Sequence, residues 1–247
     1  MRRRQPPAVH GIALGLLLAV TLGLAALAAP VLGLLGSAPI VIFPSAAAHP
    51  RVAAVFLSGD MGFRFGMGDK VAAAVAARGI PVVGVASPVV FAAHRTRDQA
   101  DAVLAGAVRL ALARTGASRI VLMGQSYGAD ILATAAPDLP ADLRARVAAI
   151  DLTVPAHDVY FRADPVGLAY LGRPDAWPLL GMRRIDWAPV VCVYGLEEHG
   201  SLCPALQGRA RVIGLTGDHY LGHDAPRLIA TTLRALHAAA PELDLRS

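Results

Sequence analysis

The chain has 247 residues, 55% of them hydrophobic and 17% charged, an apolar balance for a globular protein. Its formal charge is +5, but Arg2, Arg3 and Arg4 account for three of those charges and leave +2 for the rest, with Lys70 as the single lysine. No Lys/Arg cluster interleaved with aromatics occurs, which speaks against a nucleic-acid partner.

The chain opens as a targeting segment. Met1-Arg2-Arg3-Arg4 is followed by residues 11–35 without a single charge, and Ala26-Leu27-Ala28 supplies a small-residue site. A basic head, an apolar stretch and such a site describe an export signal. About 25 apolar residues would equally serve as an uncleaved anchor, whose arginines hold the N-terminus in the cytoplasm. Both readings place the remainder outside the cytoplasm. Residues 1–38 are therefore read as signal peptide or anchor, and residues 39–247 as one domain of about 210 residues, enough for a full core.

Beyond this segment, short apolar runs alternate with helical patterns. Strands are expected at 39–43, 52–57, 81–85, 120–123, 147–152, 189–194 and 210–215, and helices at 69–78, 97–114, 127–136 and 225–239. Such alternation predicts an α/β fold, a mostly parallel sheet covered by helices on both faces. Residues 155–187 fit neither pattern, holding Tyr160, Phe161, Tyr170 and Trp177 among prolines. They form either a roof over the site or a plain connection.

The strongest local signal is Gly124-Gln125-Ser126-Tyr127-Gly128, directly after Ile120-Val121-Leu122-Met123. Strand, G-x-S-x-G and helix together form the nucleophile elbow of α/β-hydrolases. The glycines are needed because the turn is tight and the serine is strained. A serine nucleophile requires a base and an acid to orient it, in the chain order Ser, Asp/Glu, His. The strand at 189–194 leads into Gly195-Leu196-Glu197-Glu198-His199, and the strand at 210–215 into Thr216-Gly217-Asp218-His219-Tyr220. His219 is the expected base, with His223 second. Glu198 is favoured as the acid over Glu197.

The oxyanion donors are expected from the Tyr127 N–H and the loop around Gly59 and Asp60. Asp60, Asp130, Glu197, Glu198 and Asp218 would make an acidic rim suited to a cationic substrate group, with Asp130 and Glu197 as candidate substrate contacts. The same residues would otherwise serve caps and local hydrogen bonds. Cys192 and Cys203 either close a small disulfide loop bracing the acid or remain buried thiols. Their spacing does not favour a metal site, and no cofactor is implied.

Four segments resemble the AcvB/VirJ family of exported bacterial virulence proteins. They are Leu57-Ser58-Gly59-Asp60-Met61-Gly62, Gly124 through Asp130, Cys192-Val193-Tyr194-Gly195 through Cys203-Pro204, and Gly217-Asp218-His219. The resemblance implies a periplasmic α/β-hydrolase domain with a minimal lid, with Ser126 as nucleophile and His219 as base. It also implies hydrolysis of aminoacylated phosphatidylglycerol, chiefly lysyl-phosphatidylglycerol, at the membrane surface. Another branch of the family is linked to type IV secretion, which would make secretion proteins the partners. Met61 and Phe63 depart from the family's usual Ser-Gly-Asp-Gly-Gly-Trp loop, and Tyr220 stands where a second histidine is usual. A general carboxylesterase or lipase and a non-catalytic adaptor are the competing expectations.

Overall fold

The structure is a computed structural model that describes residues 7–28 and 35–243. Arg2, Arg3, Arg4 and residues 29–34 of the leader lie outside them. Helix α1 (Pro7–Ala28) contains no Asp, Glu, Lys or Arg, and its side chains from 11 to 25 are all exposed. Among the described residues no helix is long and apolar enough to cross a membrane.

The remaining elements follow in the order β1 (Ile40–Phe43), β2 (Val52–Leu57), α2 (Gly68–Ala77), β3 (Val82–Val85), α3 (Ser87–Val90), α4 (Arg97–Thr115), β4 (Arg119–Gln125), α5 (Tyr127–Ala135), α6 (Ala141–Arg144), β5 (Val147–Thr153), α7 (Leu179–Met182), β6 (Val190–Gly195), β7 (Arg211–Leu215) and α8 (Ala225–Ala239). All the expected strands and longer helices are present. The helices α3, α6 and α7 have four residues each, too few to display a helical period in sequence.

The seven strands form one sheet in the order β1-β3-β2-β4-β5-β6-β7. Every neighbouring pair is parallel except β1 with β3, which is antiparallel. The chain leaves β2 for β3 on one side and returns to β4 on the other. The strand order therefore reverses between β2 and β4, where open α/β sheets carry ligands beyond their strand ends. Leu57 is in register with Gly124, so those two ends lie level.

Strand alternation sorts the core into two layers. Val55, Leu57, Ile120 and Leu122 pack with Leu104 and Val108 of α4 and Ile131 of α5. Ala54, Phe56, Val121 and Met123 face the other way, onto Val71 and Val75 of α2 and Leu228 and Leu233 of α8. Both long flanking helices are locally specified. At the start of α4, Thr96 Oγ1 accepts from Gln99 N and Gln99 Oε1 accepts from Thr96 N, a reciprocal capping box, while Gly116 closes the helix at φ 68°. Asp224 Oδ1 accepts from Arg227 N at 3.0 Å to cap α8.

Candidate active site

Ser126 lies between β4 and α5 with φ 53° and ψ −128°, a conformation rarely adopted by a residue with a side chain. The two glycines have a steric cause. A Cβ on Gly128 would come 2.1 Å from the Leu57 carbonyl oxygen, and one on Gly124 would come 2.6 Å from the Gly128 carbonyl oxygen. Only bare backbone lets α5 start this close to the end of β2. The Ser126 carbonyl accepts from Ala129 N and Asp130 N, which begins the helix.

The serine hydroxyl donates to His219 Nε2 at 2.7 Å, and His219 Nδ1 donates to Glu198 Oε1 at 2.5 Å. A carboxylate can only accept, so the proton belongs on Nδ1 and Nε2 is left as the acceptor facing the Ser126 hydroxyl. Glu198 comes from the turn after β6, closed by its N–H to the Gly195 carbonyl, and His219 comes from the turn after β7. These turns touch backbone to backbone: a Cβ on Gly195 would lie 2.1 Å from the Asp218 carbonyl oxygen. The Glu198 side chain is 10% exposed and that of His219 38%. Burial alone would lower the His219 pKa, but the Glu198 hydrogen bond and charge, with Asp130 and Asp60, outweigh it and hold the imidazole above its usual 6.5.

The other sequence candidates separate clearly. Glu197 is exposed and makes no bond to His219 among the described residues. His223 stacks on Tyr220, with ring centroids 5.4 Å apart, and does not reach Ser126. Cys192 and Cys203 form a disulfide between β6 and the end of the acid loop, both sulfurs buried. Gly59 runs beside Ser126, and a Cβ there would lie 3.6 Å from that of the serine. The Tyr127 N–H, in the first turn of α5, has no intrahelical acceptor.

Two cavities meet at Ser126, His219 and Asp60. One, of about 360 Å³, is walled by Met61, Phe65, Met67, Val154 and Tyr220, with Lys70 at its edge. The other, of about 530 Å³, is walled by Tyr127, Tyr160 and Tyr170 and by Asp130 and Asp158. Burial raises the Asp60 pKa against the opposing Tyr170 hydrogen bond. Burial likewise pushes Asp130 up to about 7, although Ala156 N donates to it at 2.7 Å. The expected acidic rim is thus narrower than five residues. Asp60 and Asp130 share one cavity, Glu198 is engaged by His219, and Glu197 and Asp218 are exposed and line neither cavity. Asp158, Tyr160 and Tyr170 join the site unannounced by any motif. The unusual aromatic density of 155–187 was their only trace in the sequence.

The family described as bacterial virulence protein (VirJ) matches residues 51–240. No curated protein is significantly similar in sequence. Among solved structures, Est1E from Butyrivibrio proteoclasticus is similar at 13% identity, with 83% of this chain and 93% of that one covered and a TM-score of 0.59. The esterase domain of a Rhodothermus marinus protein is similar at 15% identity, covering 79% and 90%, with a TM-score of 0.54. Brefeldin A esterase, a bacterial homologue of human hormone-sensitive lipase, is similar at 16% identity, covering 84% and 73%, with a TM-score of 0.55. At these identities the likeness establishes the fold, an α/β-hydrolase.

Proposed function

The chain belongs to the bacterial virulence protein (VirJ) family, and from that premise we propose that it is a serine ester hydrolase acting on the aminoacyl ester of an aminoacyl-phosphatidylglycerol. The observation that carries the reading is the hydrogen-bonded series Ser126–His219–Glu198 opening onto a cavity that holds Asp60, Asp130 and Asp158.

In this reading Ser126 Oγ attacks the ester carbonyl carbon while His219 Nε2 takes the hydroxyl proton. Glu198 keeps the imidazole in the required tautomer and stabilises its charged form. The N–H groups of Tyr127 and Asp60 hold the oxyanion, and each such donor is worth about 3 kcal/mol. His219 then returns the proton to the departing glycerol oxygen. A water molecule, deprotonated by His219, then attacks the acyl carbon, the bond to Ser126 Oγ breaks, and His219 returns the proton to Oγ as the amino acid leaves.

The acidic, tyrosine-walled cavity suits an ammonium-bearing acyl group, through carboxylate charge and ring faces. The apolar cavity with Lys70 suits the phosphate and glycerol side of the ester. The uncharged N-terminal helix fits export to the periplasm, where the domain would meet its lipid. Lysine release from lysyl-phosphatidylglycerol vesicles tests the assignment: the wild-type chain is expected to release it, and Ser126→Ala to release none. No release by either protein would overturn the substrate class.

A second reading, a general carboxylesterase, is favoured by the apolar walls Met61, Phe65 and Met67. Faster turnover of neutral acyl esters than of lysyl esters would select it. An adaptor serving type IV secretion would keep its phenotype with Ser126→Ala.

A further inference from the structure

One side chain from the loop between β5 and β6 touches both residues assigned to the oxyanion hole. The Tyr170 hydroxyl donates to Asp60 Oδ2 at 3.1 Å, across 110 residues of sequence. Its ring lies along that of Tyr127, with centroids 6.4 Å apart and planes 22° apart.

The loop has its own scaffold for this ring. Asp164 Oδ1 accepts from Val166 N at 3.1 Å and Oδ2 accepts from Ala169 N at 2.7 Å. Asp164 N then donates to the Tyr170 oxygen at 2.9 Å. Two backbone bonds between Val159 and Ala176, at 3.0 and 3.1 Å, close the loop at its neck. Before the neck, Ala156 N donates to Asp130, Leu202 N to the Pro155 carbonyl and His157 N to the Gly200 carbonyl. The loop is therefore fastened to the nucleophile helix and the acid loop, and through Tyr170 to the turn that carries Asp60.

We propose that Tyr170 is a positioning residue that sets the oxyanion hole. By holding the Asp60 carboxylate it orients the turn bearing the Asp60 N–H, and by stacking it seats Tyr127, whose N–H is the second donor. A donor displaced by about an ångström loses most of its effect on the transition state. Locally the turn is held at Gly59, whose carbonyl accepts from Gly62 N and from Ser58 Oγ, and Tyr170 is the side chain that holds the Asp60 carboxylate itself. The proposal rests on Ser126 being the nucleophile.

The test is the rate at which a fluorophosphonate labels Ser126 in the full chain, followed by intact mass. In that reaction the Oγ–P bond forms, the P–F bond breaks, fluoride leaves and the hydroxyl proton passes to His219. Tyr170→Phe keeps the ring and removes the hydrogen bond. It is expected to slow the maximal labelling rate about ten-fold or more, with unchanged half-saturation by the probe and unchanged Tm. In an Asp60→Ala background, Tyr170→Phe should cause little further loss. Leu171→Ser, on the 81% exposed neighbour, should label like wild type. Equal rates for Tyr170→Phe and wild type would overturn the positioning role alone, as would full additivity with Asp60→Ala. A wild-type chain that is not labelled would overturn the assignment of Ser126, and the inference with it.

Discussion

In the proposed mechanism His219 is the residue on which proton movement depends. Its folded pKa is held above 6.5, because the Glu198 bond and neighbouring carboxylates outweigh the desolvation that would lower it. Only the neutral imidazole can accept the serine proton, so kcat/KM should rise with pH through a midpoint above 6.5. Glu198→Gln should move that midpoint down and reduce kcat about a thousand-fold, because the amide no longer stabilises the charged ring or selects its tautomer. A pH–rate profile of both proteins checks this, and an unmoved midpoint would count against Glu198. Asp130 tests specificity at the same scale. Its carboxyl group, pushed up to about 7 by burial, faces the cavity beside Asp60, and among the described residues that cavity has no lysine or arginine in its wall. Asp130→Asn should raise KM for a lysyl ester about ten-fold, some 1.4 kcal/mol, while leaving KM for an uncharged acyl ester unchanged. Steady-state kinetics on the two esters separates a charge contact from general damage to α5.

Among the elements, β5 and β6 carry the clearest consequences. Asp151 lies inside β5, 2% exposed, with Oδ1 unpartnered and Oδ2 accepting from Thr153 Oγ1 only at 3.4 Å. Burial pushes its pKa up to about 7. With the folded value above the unfolded one, its contribution to stability is fully present below about pH 4 and is lost as pH rises through about 7. Asp151→Asn should therefore unfold at a higher temperature than wild type at pH 8, by the equivalent of about 2 kcal/mol. The gap should close towards pH 4, and thermal melts across that range would reveal it. On β6, the Cys192–Cys203 bridge spans the turn that presents Glu198. Replacing both cysteines by alanine should cost about 3 kcal/mol in denaturant unfolding. It should also lower kcat, since the acid turn loses a tether at its far end. The longer elements were legible because each carries its own period or cap, as in Thr96–Gln99 and Asp224. The four-residue helices α3, α6 and α7 were not, because so short a helix is specified by what it packs against.

At the level of the whole molecule, α1 stands apart from the sheet and its two covering layers. None of the core residues of either layer comes from it among the described residues. Removing residues 1–28, and so sparing Leu35, which is buried against the Gly62 turn, should leave the melting temperature and the hydrolysis of a water-soluble ester unchanged, while abolishing recovery of the protein with the membrane fraction. Fractionation of cells expressing both forms checks the anchor reading, and soluble full-length protein would favour a cleaved signal instead. What the sequence determined by itself is whatever short-range physics controls. The alternation of strand and helix follows from burial of apolar faces, the elbow from glycines that alone fit against the start of α5 and the end of β2, and the Ser, Glu, His order from strand ends that share one edge. The tertiary structure decided which of two adjacent glutamates meets His219, which carboxylates face the cavity, and that Tyr170 lies on Asp60. Those contacts join residues from 21 to 110 positions apart. Their partners are chosen by sheet register and by the path of a loop with no period of its own, and neither is written in any local stretch of the chain.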